Sequence, residues 1–353
     1  MSAPLAPRLI IGQGLAGTAV AWHLWARGVP FLIVDRDEPV TSSKVAAGLL
    51  TPITGMRLTL NEEYGPRLAE AVPFFRHKER LLGCRFLYAR PVVRLFKNAE
   101  EPGRWAKRML EPAVRPFAQA HPRQPLLNAE VFDAPHGGFQ MKHAGYLDTA
   151  AYLAASRAFF AKLGAWQSAD IGTEALSVTA GAVVWEGRAF SEVIFCQGWE
   201  AGRHPWFDWV PFAPARGTIL TARADLQGER RIVNCGCWVV DRGDGSLRIG
   251  STYELKFSDP HASDPAKLAE LHAQICRLLK VPVEILDQQT AVRPTITQQR
   301  TLIGRHPARP RVAFLNGLGS KGTLLSPHFA RRLVEHLLDG TAIPAGMDVA
   351  GNL

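Results

Sequence analysis

The stretch RLIIGQGLAGTAVAWHLWARGVPFLIVDRD, residues 8–37, decides the fold of this chain. It opens with an apolar run at residues 9–11, passes through glycines at GxGxxG spacing into a helical pattern, and ends in a second apolar run closed by Asp35. Strand, glycine turn, helix, strand and acid in this order are typical of a dinucleotide-binding βαβ unit. The sequence therefore predicts a Rossmann-like nucleotide site at its start.

Each glycine of the motif has a distinct steric role in such a unit. Gly12 permits the tight turn after the strand, Gly14 lets the backbone approach a pyrophosphate, and Gly17 lets the helix pack closely on the sheet. The amides at the start of that helix then face the anion. Asp35, at the end of the second strand, is placed to accept hydrogen bonds from a ribose diol.

Length and composition indicate a folded protein with a sizeable core. The chain has 353 residues, 47% of them hydrophobic, which is enough for two domains or one large elaborated domain. No apolar stretch approaches the length of a membrane span, and the short apolar run at the N-terminus is occupied by the glycine motif, which argues against a signal peptide. The five cysteines are odd in number and offer no complete metal-ligand pattern. We therefore expect a cytoplasmic protein with reduced thiols and without a metal site.

The net charge of +9 leaves an acidic partner open. Arginines and lysines are scattered along the chain and form no dense tract, which favours solvated helix faces over a dedicated polyanion site. Nucleic acid stays an alternative partner on the strength of the charge alone.

Helical and strand patterns alternate beyond the opening unit. The sequence predicts helices at 61–82, 265–279 and 321–338, and one that follows Asp148 and runs through Leu163. It predicts strands at 86–96, 182–185, 193–196, 218–221, 232–240, 247–249, 287–293 and 311–315. The short apolar strands at 182–185 and 193–196 are typical of a nucleotide-binding sheet, whereas the run from 211 to 249 favours an antiparallel sheet with a hairpin turn at 243–245.

These patterns predict an α/β protein with two interleaved domains. Residues 1–85, 147–205 and 288–353 form a Rossmann-like nucleotide domain. Residues 86–146 and 206–287 form an α+β domain that is built on an antiparallel sheet and holds the substrate.

An NAD enzyme could share the opening motif, so the choice of cofactor depends on further segments. The first is SSKVAAGLLTP (42–52), the second is IFCQGWEA (194–201), and the third is RPTITQQRTLIGRHP (293–307), which is followed by AFLNGLGSKGTLLSPHFARRLVEHL (313–337). With the opening unit, these segments resemble the FAD-dependent D-amino-acid oxidase family, which includes glycine and sarcosine oxidases. The resemblance covers nearly the whole chain in the right order.

The resemblance implies FAD as cofactor and assigns roles to individual residues. The implied cofactor contacts are Gly12, Gln13, Gly14, Leu15, Ala16, Gly17, Asp35, Arg36, Ser42, Ser43, Lys44, Ala46, Ala47, Gly48, Leu49, Ile171, Cys196, Gln197, Gly198, Trp199, Arg293, Gly317, Leu318, Gly319, Ser320, Lys321, Gly322 and Thr323. Arg293 would bind a substrate carboxylate, which its guanidinium can hold bidentately. The closing helix would point its N-terminus at the pyrimidine edge of the flavin, where Lys321 adds positive charge.

The chain departs from the family pattern at several positions. Gln298 and Thr301 stand where the family often has an acid and a second proline, and Ser320 stands where a second carboxylate-binding arginine is expected. Glycine oxidases have an active-site tyrosine on the strand where Trp238 is the nearest aromatic residue, so Trp238 is a candidate for the pocket wall or for the core. No cysteine lies between residues 293 and 337, so the resemblance implies noncovalent FAD.

The sequence thus favours an enzyme that oxidises the C–N bond of an amino acid or secondary amine carrying a carboxylate. Hydride would pass to flavin N5, and oxygen or another acceptor would reoxidise the flavin. Arg293, Trp238 and Lys321 are the candidate catalytic residues. The alternatives are an oxidase that acts on a glycine-like group of a tRNA wobble uridine, and a flavoprotein without catalysis that acts as a binding module.

Overall fold

The computed structural model describes residues 6–119 and 126–352. Its helices are α1 (Leu15–Ala26), α2 (Ser42–Val45), α3 (Tyr64–Leu82), α4 (Glu101–Arg108), α5 (Thr149–Lys162), α6 (Pro265–Leu278) and α7 (Gly322–Asp339). Its strands are β1 (Arg8–Ile11), β2 (Phe31–Asp35), β3 (Leu49–Leu50), β4 (Ile53–Thr54), β5 (Thr59–Leu60), β6 (Leu87–Ala89), β7 (Val92–Leu95), β8 (Gly138–Met141), β9 (Gly145–Leu147), β10 (Trp166–Ser168), β11 (Ser177–Val178), β12 (Val183–Trp185), β13 (Arg188–Phe190), β14 (Val193–Phe195), β15 (Ala215–Arg223), β16 (Ile232–Cys235), β17 (Cys237–Asp241), β18 (Leu247–Gly250), β19 (Glu284–Arg293), β20 (Leu302–His306) and β21 (Arg309–Asn316). The predicted domain ranges also include residues 1–5, 120–125 and 353, which lie outside the described residues.

A six-stranded sheet in the order β10-β2-β1-β14-β21-β20 carries the opening motif. Its neighbouring strands are parallel except for the antiparallel β20–β21 pair. The strand β1 lies between β2 and β14, so a crevice forms where β1 ends and the connections diverge to opposite sides. The predicted α/β, Rossmann-like class is confirmed.

Different elements pack on the two faces of this six-stranded sheet. Side chains alternate along β1, so Ile10 packs in a core with α1, α3, α5 and α7, whereas Leu9 and Ile11 pack in a second core on the other face. That second core includes the three-stranded antiparallel sheet β11-β12-β13. The prediction for 193–196 therefore holds as β14, but the interpretation of 182–185 as part of the nucleotide sheet is wrong. Residues 183–185 form β12, which pairs with β13 in a local hairpin.

A seven-stranded sheet in the order β19-β15-β18-β17-β16-β7-β8 forms the second structural layer. All of its pairs are antiparallel except the parallel β16–β7 pair, and α6 packs on one of its faces. The predicted division into domains stays a prediction. Its boundary between residues 287 and 288 falls inside β19, which pairs with β15 along its length.

Prolines explain two differences from the predicted elements. The strand predicted at 86–96 is interrupted at Pro91 and forms β6 and β7, which belong to different sheets, because proline has no N–H for a continuous ladder. The helix predicted at 61–82 begins at Tyr64, so that Pro66 lies in its first turn, where a missing N–H costs little. Within the described ranges, none of the helices is both long and apolar enough to span a bilayer.

Lys78 on α3 is a buried lysine among aromatic rings. It is 4% exposed, and its ammonium lies 4.7 Å from the centre of the Trp22 ring and 5.2 Å from that of Phe74. Burial lowers the pKa of Lys78 from 10.5 to about 8, because the apolar surroundings disfavour the charged form. The rings recover part of that cost through cation–π attraction.

We expect the wild type to gain stability relative to Lys78→Met as the pH rises above about 8. The folded-state pKa lies below the unfolded value, so the unfolded state binds more protons between pH 8 and 10.5 and the free energy of unfolding increases with pH there. The relative gain is at most about 3.4 kcal/mol, the full effect of a pKa lowered from 10.5 to about 8. Denaturant unfolding of both proteins across this pH range measures it. A difference that does not change with pH would contradict the lowered pKa.

Candidate active site

One cleft of about 580 Å³ runs from the carboxyl ends of β1, β2 and β14 to the seven-stranded sheet. Its volume lies in the usual range for cofactor and small-molecule sites. Of the residues that the sequence assigns to the cofactor, all except Gly17 and Gly317 line it. At its other end, the seven-stranded sheet and the segment after β18 contribute Gly217, Ile219, Asn234, Trp238, Ser251, Ala291 and Arg293. The candidate nucleotide and substrate regions therefore share one cavity.

The glycine turn between β1 and α1 leaves no room for side chains at two positions. Gly12 has a φ of +100°, and a Cβ there would lie 2.6 Å from the carbonyl oxygen of Cys196. A Cβ on Gly17 would lie 1.9 Å from the carbonyl oxygen of Gly12. The roles that the sequence predicts for these two glycines, a tight turn and close packing of the helix, agree with this geometry.

Ser43, in the segment 42–52, forms a hydrogen bond to the opening glycine motif. Its Oγ accepts a hydrogen bond from the backbone N–H of Leu15 at 3.1 Å, and a Cβ on Gly14 would lie 2.9 Å from the same oxygen. The hydroxyl therefore satisfies one of the free amides at the start of α1. The helix that carries Ser43, α2, is capped by Thr41, whose Oγ1 accepts from the Lys44 N–H at 3.2 Å.

Asp35 lines the cleft at the end of β2 and accepts two backbone hydrogen bonds. Its oxygens accept from the N–H of Gln13 at 2.6 Å and from the N–H of Asp37 at 2.8 Å. The Gln13 side chain is directed into the protein, where its Nε2 donates to the Leu153 carbonyl and its Oε1 accepts from Arg157, both at 3.0 Å. The backbone N–H of Gln13 and both polar atoms of its side chain thus all have hydrogen-bond partners within the protein.

Charged side chains at this end of the cleft neutralise one another. Arg36 forms an ion pair with Glu200, and Lys44 pairs with Asp37 at 3.2 Å. Arg36 also lies 3.9 Å from a carboxylate oxygen of Asp170. Both predicted cations therefore cross-link the rim of the cleft.

The second of the quoted segments, residues 194–201, contains a buried polar atom without a hydrogen-bond partner among the described residues. Gln197 Oε1 is buried and accepts no hydrogen bond from the described residues, although Gln197 lines the cleft. A buried acceptor of this kind normally has a donor, so a ligand group is a suitable partner. The neighbouring Cys196 is buried, and burial raises the pKa of its thiol.

The start of α7 faces the cleft with no side-chain cap. Lys321 is the N-cap residue, and no side chain there accepts from the first amides. A Cβ on Gly322 would lie 2.8 Å from Leu15 Cδ1, so α7 begins beside the start of α1. Two helix N-termini, each with positive dipole ends and free amides, therefore point into the same cavity.

Arg293, at the end of β19, reaches the cleft from the seven-stranded sheet. Its Nη2 donates to Ser251 Oγ at 2.8 Å, and its Nη1 donates to the Arg216 carbonyl at 3.3 Å. The centre of the Tyr253 ring lies 5.5 Å from its guanidinium carbon. Burial lowers the pKa of Arg293. Among the described residues the guanidinium forms no ion pair, so a half-buried positive charge is left for a ligand.

Gly217 is a site residue that the sequence reasoning missed. It lies on β15 under the Arg293 side chain, and a Cβ there would lie 2.4 Å from both terminal guanidinium nitrogens. The available signal was a glycine directly before the strand predicted at 218–221, since a glycine within or beside a strand often marks close approach by another group.

Trp238 belongs to both the cleft and the core. It lines the cleft from β17, and it packs against two buried clusters of the second sheet. A Cβ on Gly250 of β18 would lie 2.7 Å from Trp238 Cζ2, so the indole lies close against that strand. Trp238 is therefore both part of the pocket wall and part of the core, the two alternatives that the sequence left open.

The nucleotide cleft of the Rossmann-like sheet continues onto a largely antiparallel sheet that bears a half-buried arginine. This arrangement is typical of dinucleotide-dependent oxidoreductases. The chain belongs to the DAO family of FAD dependent oxidoreductases, whose family model matches residues 9–336. The predicted family and the predicted enzyme class, an amino-acid-oxidase-like oxidoreductase, are confirmed.

Relatives and solved structures agree with this family. The chain is 24% identical over 360 residues to the tRNA 5-methylaminomethyl-2-thiouridine biosynthesis bifunctional protein MnmC of Marinobacter nauticus, covering 94% of this chain and 55% of that protein. It is 26% identical over 366 residues to the bifunctional protein ThiO/ThiG of Trichormus variabilis, covering 95% and 53%. The chain thus spans about half the length of these curated relatives. Glycine oxidase from Geobacillus kaustophilus has the same fold, with a TM-score of 0.79 at 18% identity over 97% of this chain and 96% of that one.

Proposed function

We propose that this protein binds FAD noncovalently and oxidises the C–N bond of an amino acid or secondary amine that carries a carboxylate. The observation that carries the proposal is Arg293, a half-buried guanidinium without an ion-pair partner among the described residues, which lines the same cleft as segments 42–52 and 194–201. An unpaired charge that is partly removed from water is stabilised by a ligand of opposite charge. The carboxylate of the substrate is that ligand.

The residues of the cleft fit FAD in three respects. The turn at Gly12 and Gly14 and the start of α1 would hold the pyrophosphate, and Asp35 would accept from the ribose. Gln197 Oε1 offers a buried acceptor that needs a donor. The start of α7, with Lys321, would stabilise negative charge at the flavin ring.

Noncovalent binding is supported by the chemistry of the cysteine in the cleft. Among the residues that line the cavity, Cys196 is the cysteine. Its pKa is raised by burial, so its thiol stays protonated and is a poor nucleophile. The other four cysteines of the chain lie elsewhere.

Bound FAD supplies a hydride acceptor. Arg293 would hold the substrate carboxylate and thereby orient the α-carbon within the cleft, and Trp238 would form the adjacent wall. Loss of hydride from the α-carbon of the neutral amine leaves an iminium ion, which water hydrolyses to a carbonyl compound and a protonated amine or ammonium. Such chemistry depends on positioning more than on a general base. Oxygen or another acceptor then removes the electrons.

The proposal is tested by recording the visible spectrum of the purified protein without oxygen. Glycine, sarcosine, the enantiomers of proline and a panel of D-amino acids are added in turn. We expect one of them to bleach the flavin band, because hydride transfer reduces the cofactor. A protein purified without flavin would contradict FAD binding. An oxidised flavin that none of them reduces would favour a larger substrate or a flavoprotein without catalysis.

The match to a tRNA-modifying relative supports a second candidate, oxidation of a glycine-like group on a wobble uridine. The net charge of +9 is compatible with such a substrate. Binding of unfractionated tRNA, measured at increasing salt, separates the two: a tRNA oxidase should bind with an affinity that falls steeply with salt. Absence of tRNA binding at low salt would exclude this candidate.

A further inference from the structure

Residues 251–254 continue the pairing of β18 with β15 past the end of β18. Thr252 N donates to the Thr218 carbonyl at 3.2 Å, and Arg216 and Glu254 exchange two backbone hydrogen bonds of 2.9 Å. Side chains along an extended segment alternate between its two faces. One face of residues 251–254 is therefore directed toward the cleft and the other toward the protein interior.

The face toward the cleft fixes the Arg293 guanidinium. Ser251 Oγ accepts from Nη2 at 2.8 Å, and the Thr252 carbonyl lies 3.4 Å from the same nitrogen. The Tyr253 ring lies 5.5 Å away. Three consecutive residues, 251–253, thus contact the Arg293 guanidinium. A shift of this segment would therefore move the positive charge that is proposed to bind the substrate.

The opposite face carries a buried polar network. Arg216 Nε donates to a carboxylate oxygen of Glu254 at 2.8 Å, and the two side chains are 7% and 3% exposed. Thr252 Oγ1 donates to the other Glu254 oxygen at 2.9 Å and accepts from the Thr218 N–H at 2.8 Å. The Arg216–Glu254 ion pair is therefore linked by hydrogen bonds to Thr252 and, through it, to the backbone of β15. Removal of either partner would leave a buried charge without a counter-ion.

Arg216 also fixes the chain beyond this segment. Its Nη1 donates to the Asp259 carbonyl at 2.6 Å, and its guanidinium lies 5.4 Å from the Phe257 ring. Pro260 and His261, which follow directly, line the cleft. One buried arginine thus anchors both the contacts of Arg293 and the adjacent wall.

We propose that the Arg216–Glu254 pair is a positioning element of the carboxylate site. It holds residues 251–254 on β15 and thereby orients Arg293, and because Arg216 neutralises Glu254, the charge of Arg293 remains available to the substrate. This inference rests on the proposed function, since it assumes that Arg293 binds a carboxylate. Neither Arg216 nor Glu254 lines the cleft, so both act through the segment and not by contact.

The test uses the FAD-loaded protein and two carboxylate probes, acetate and benzoate, whose binding is followed by the change in the flavin spectrum. In Glu254→Gln we expect the Kd of the probe that binds to rise about tenfold, at unchanged FAD content, because a displaced guanidinium loses part of its ligand geometry. The matched control is Glu192→Gln, which alters the buried Arg8–Glu192 pair, 11% and 5% exposed, at the opposite end of the parallel sheet. The control should bind as the wild type does.

A second pair of variants decides the question if Glu254→Gln does not fold. Thr252→Val removes the hydroxyl that ties Glu254 to β15, and Thr252→Ser restores it. We expect weak probe binding in the valine variant and nearly normal binding in the serine variant. If Arg293→Gln loses the probe while Glu254→Gln and Thr252→Val keep wild-type affinity, the positioning role is wrong and the proposed function stands. If the wild type binds neither probe more tightly than Arg293→Gln does, the carboxylate site itself is wrong, and the positioning role falls with it.

Discussion

In Arg293→Gln we expect KM for the carboxylate substrate to rise by about a hundredfold while FAD stays bound. Glutamine keeps a polar amide but is shorter and has no charge, so the carboxylate loses a charge-assisted hydrogen bond at a half-buried site. Arg293→Lys should recover little of the loss. A single ammonium cannot donate to Ser251 Oγ and the Arg216 carbonyl, as the guanidinium does, and also face the substrate bidentately.

The control for this prediction is Arg223→Gln. Arg223 lies on β15 and pairs with Glu284 of β19 at 2.8 Å, with both side chains 62% exposed. Exposed pairs of this kind contribute little to stability, and the pair lies at the far end of the strands that carry Gly217 and Arg293. KM, kcat and the flavin content of each variant are measured with the substrate found by anaerobic reduction. A KM in Arg293→Gln equal to that of Arg223→Gln would contradict the assignment.

The parts of the fold with strong local signals could be predicted from the sequence. The opening unit has an apolar run, a glycine triplet, a helical pattern and a terminal acid in succession, and β1, α1 and β2 follow those signals closely. The same holds for α6, where Asp264 caps the helix by accepting from the N–H of Ala266 and Lys267. Each of these signals lies within a few residues of the structure it specifies.

The parts that depend on distant partners could not be predicted in the same way. The strand β20 is short and contains Gly304, and it becomes a strand by pairing with β21. The strand β12 has the composition of a sheet core but pairs locally with β13 and covers the nucleotide sheet. Apolar character predicts burial in both cases, whereas the choice of neighbour depends on the rest of the chain.

The candidate site shows the same division between local and distant information. Family resemblance points to Arg293, but its contact Ser251 is 42 positions away in the sequence. Arg216 follows a proline-rich loop and is one of many scattered arginines, so nothing local separates it from a surface residue. The Gln13 side chain points away from the cleft because Arg157, 144 positions away, binds it.

Gly17→Ala should abolish retention of FAD and lower the free energy of unfolding by about 3 kcal/mol. The new Cβ would lie 1.9 Å from the Gly12 carbonyl oxygen. That atom is backbone in a turn whose own φ of +100° is tolerated by glycine, so neither partner can yield by a side-chain rotation. The start of α1 would have to move away from the turn, and the amides that face the cleft would move with it.

Gly103→Ala is the matched control for this prediction, since it makes the same chemical change in a helix far from the turn. A Cβ on Gly103 of α4 meets nothing within 4 Å, so alanine there should stabilise the helix by about 0.5 to 1 kcal/mol. The ratio of FAD to protein after gel filtration and the melting temperature with and without added FAD distinguish the two variants. A Gly17→Ala protein that keeps FAD and melts like the wild type would show that α1 does not need its close approach to the turn. Loss of FAD at a normal melting temperature would instead place the whole effect in the cofactor site, because helix α1 would then pack as before while its amides no longer reach the pyrophosphate.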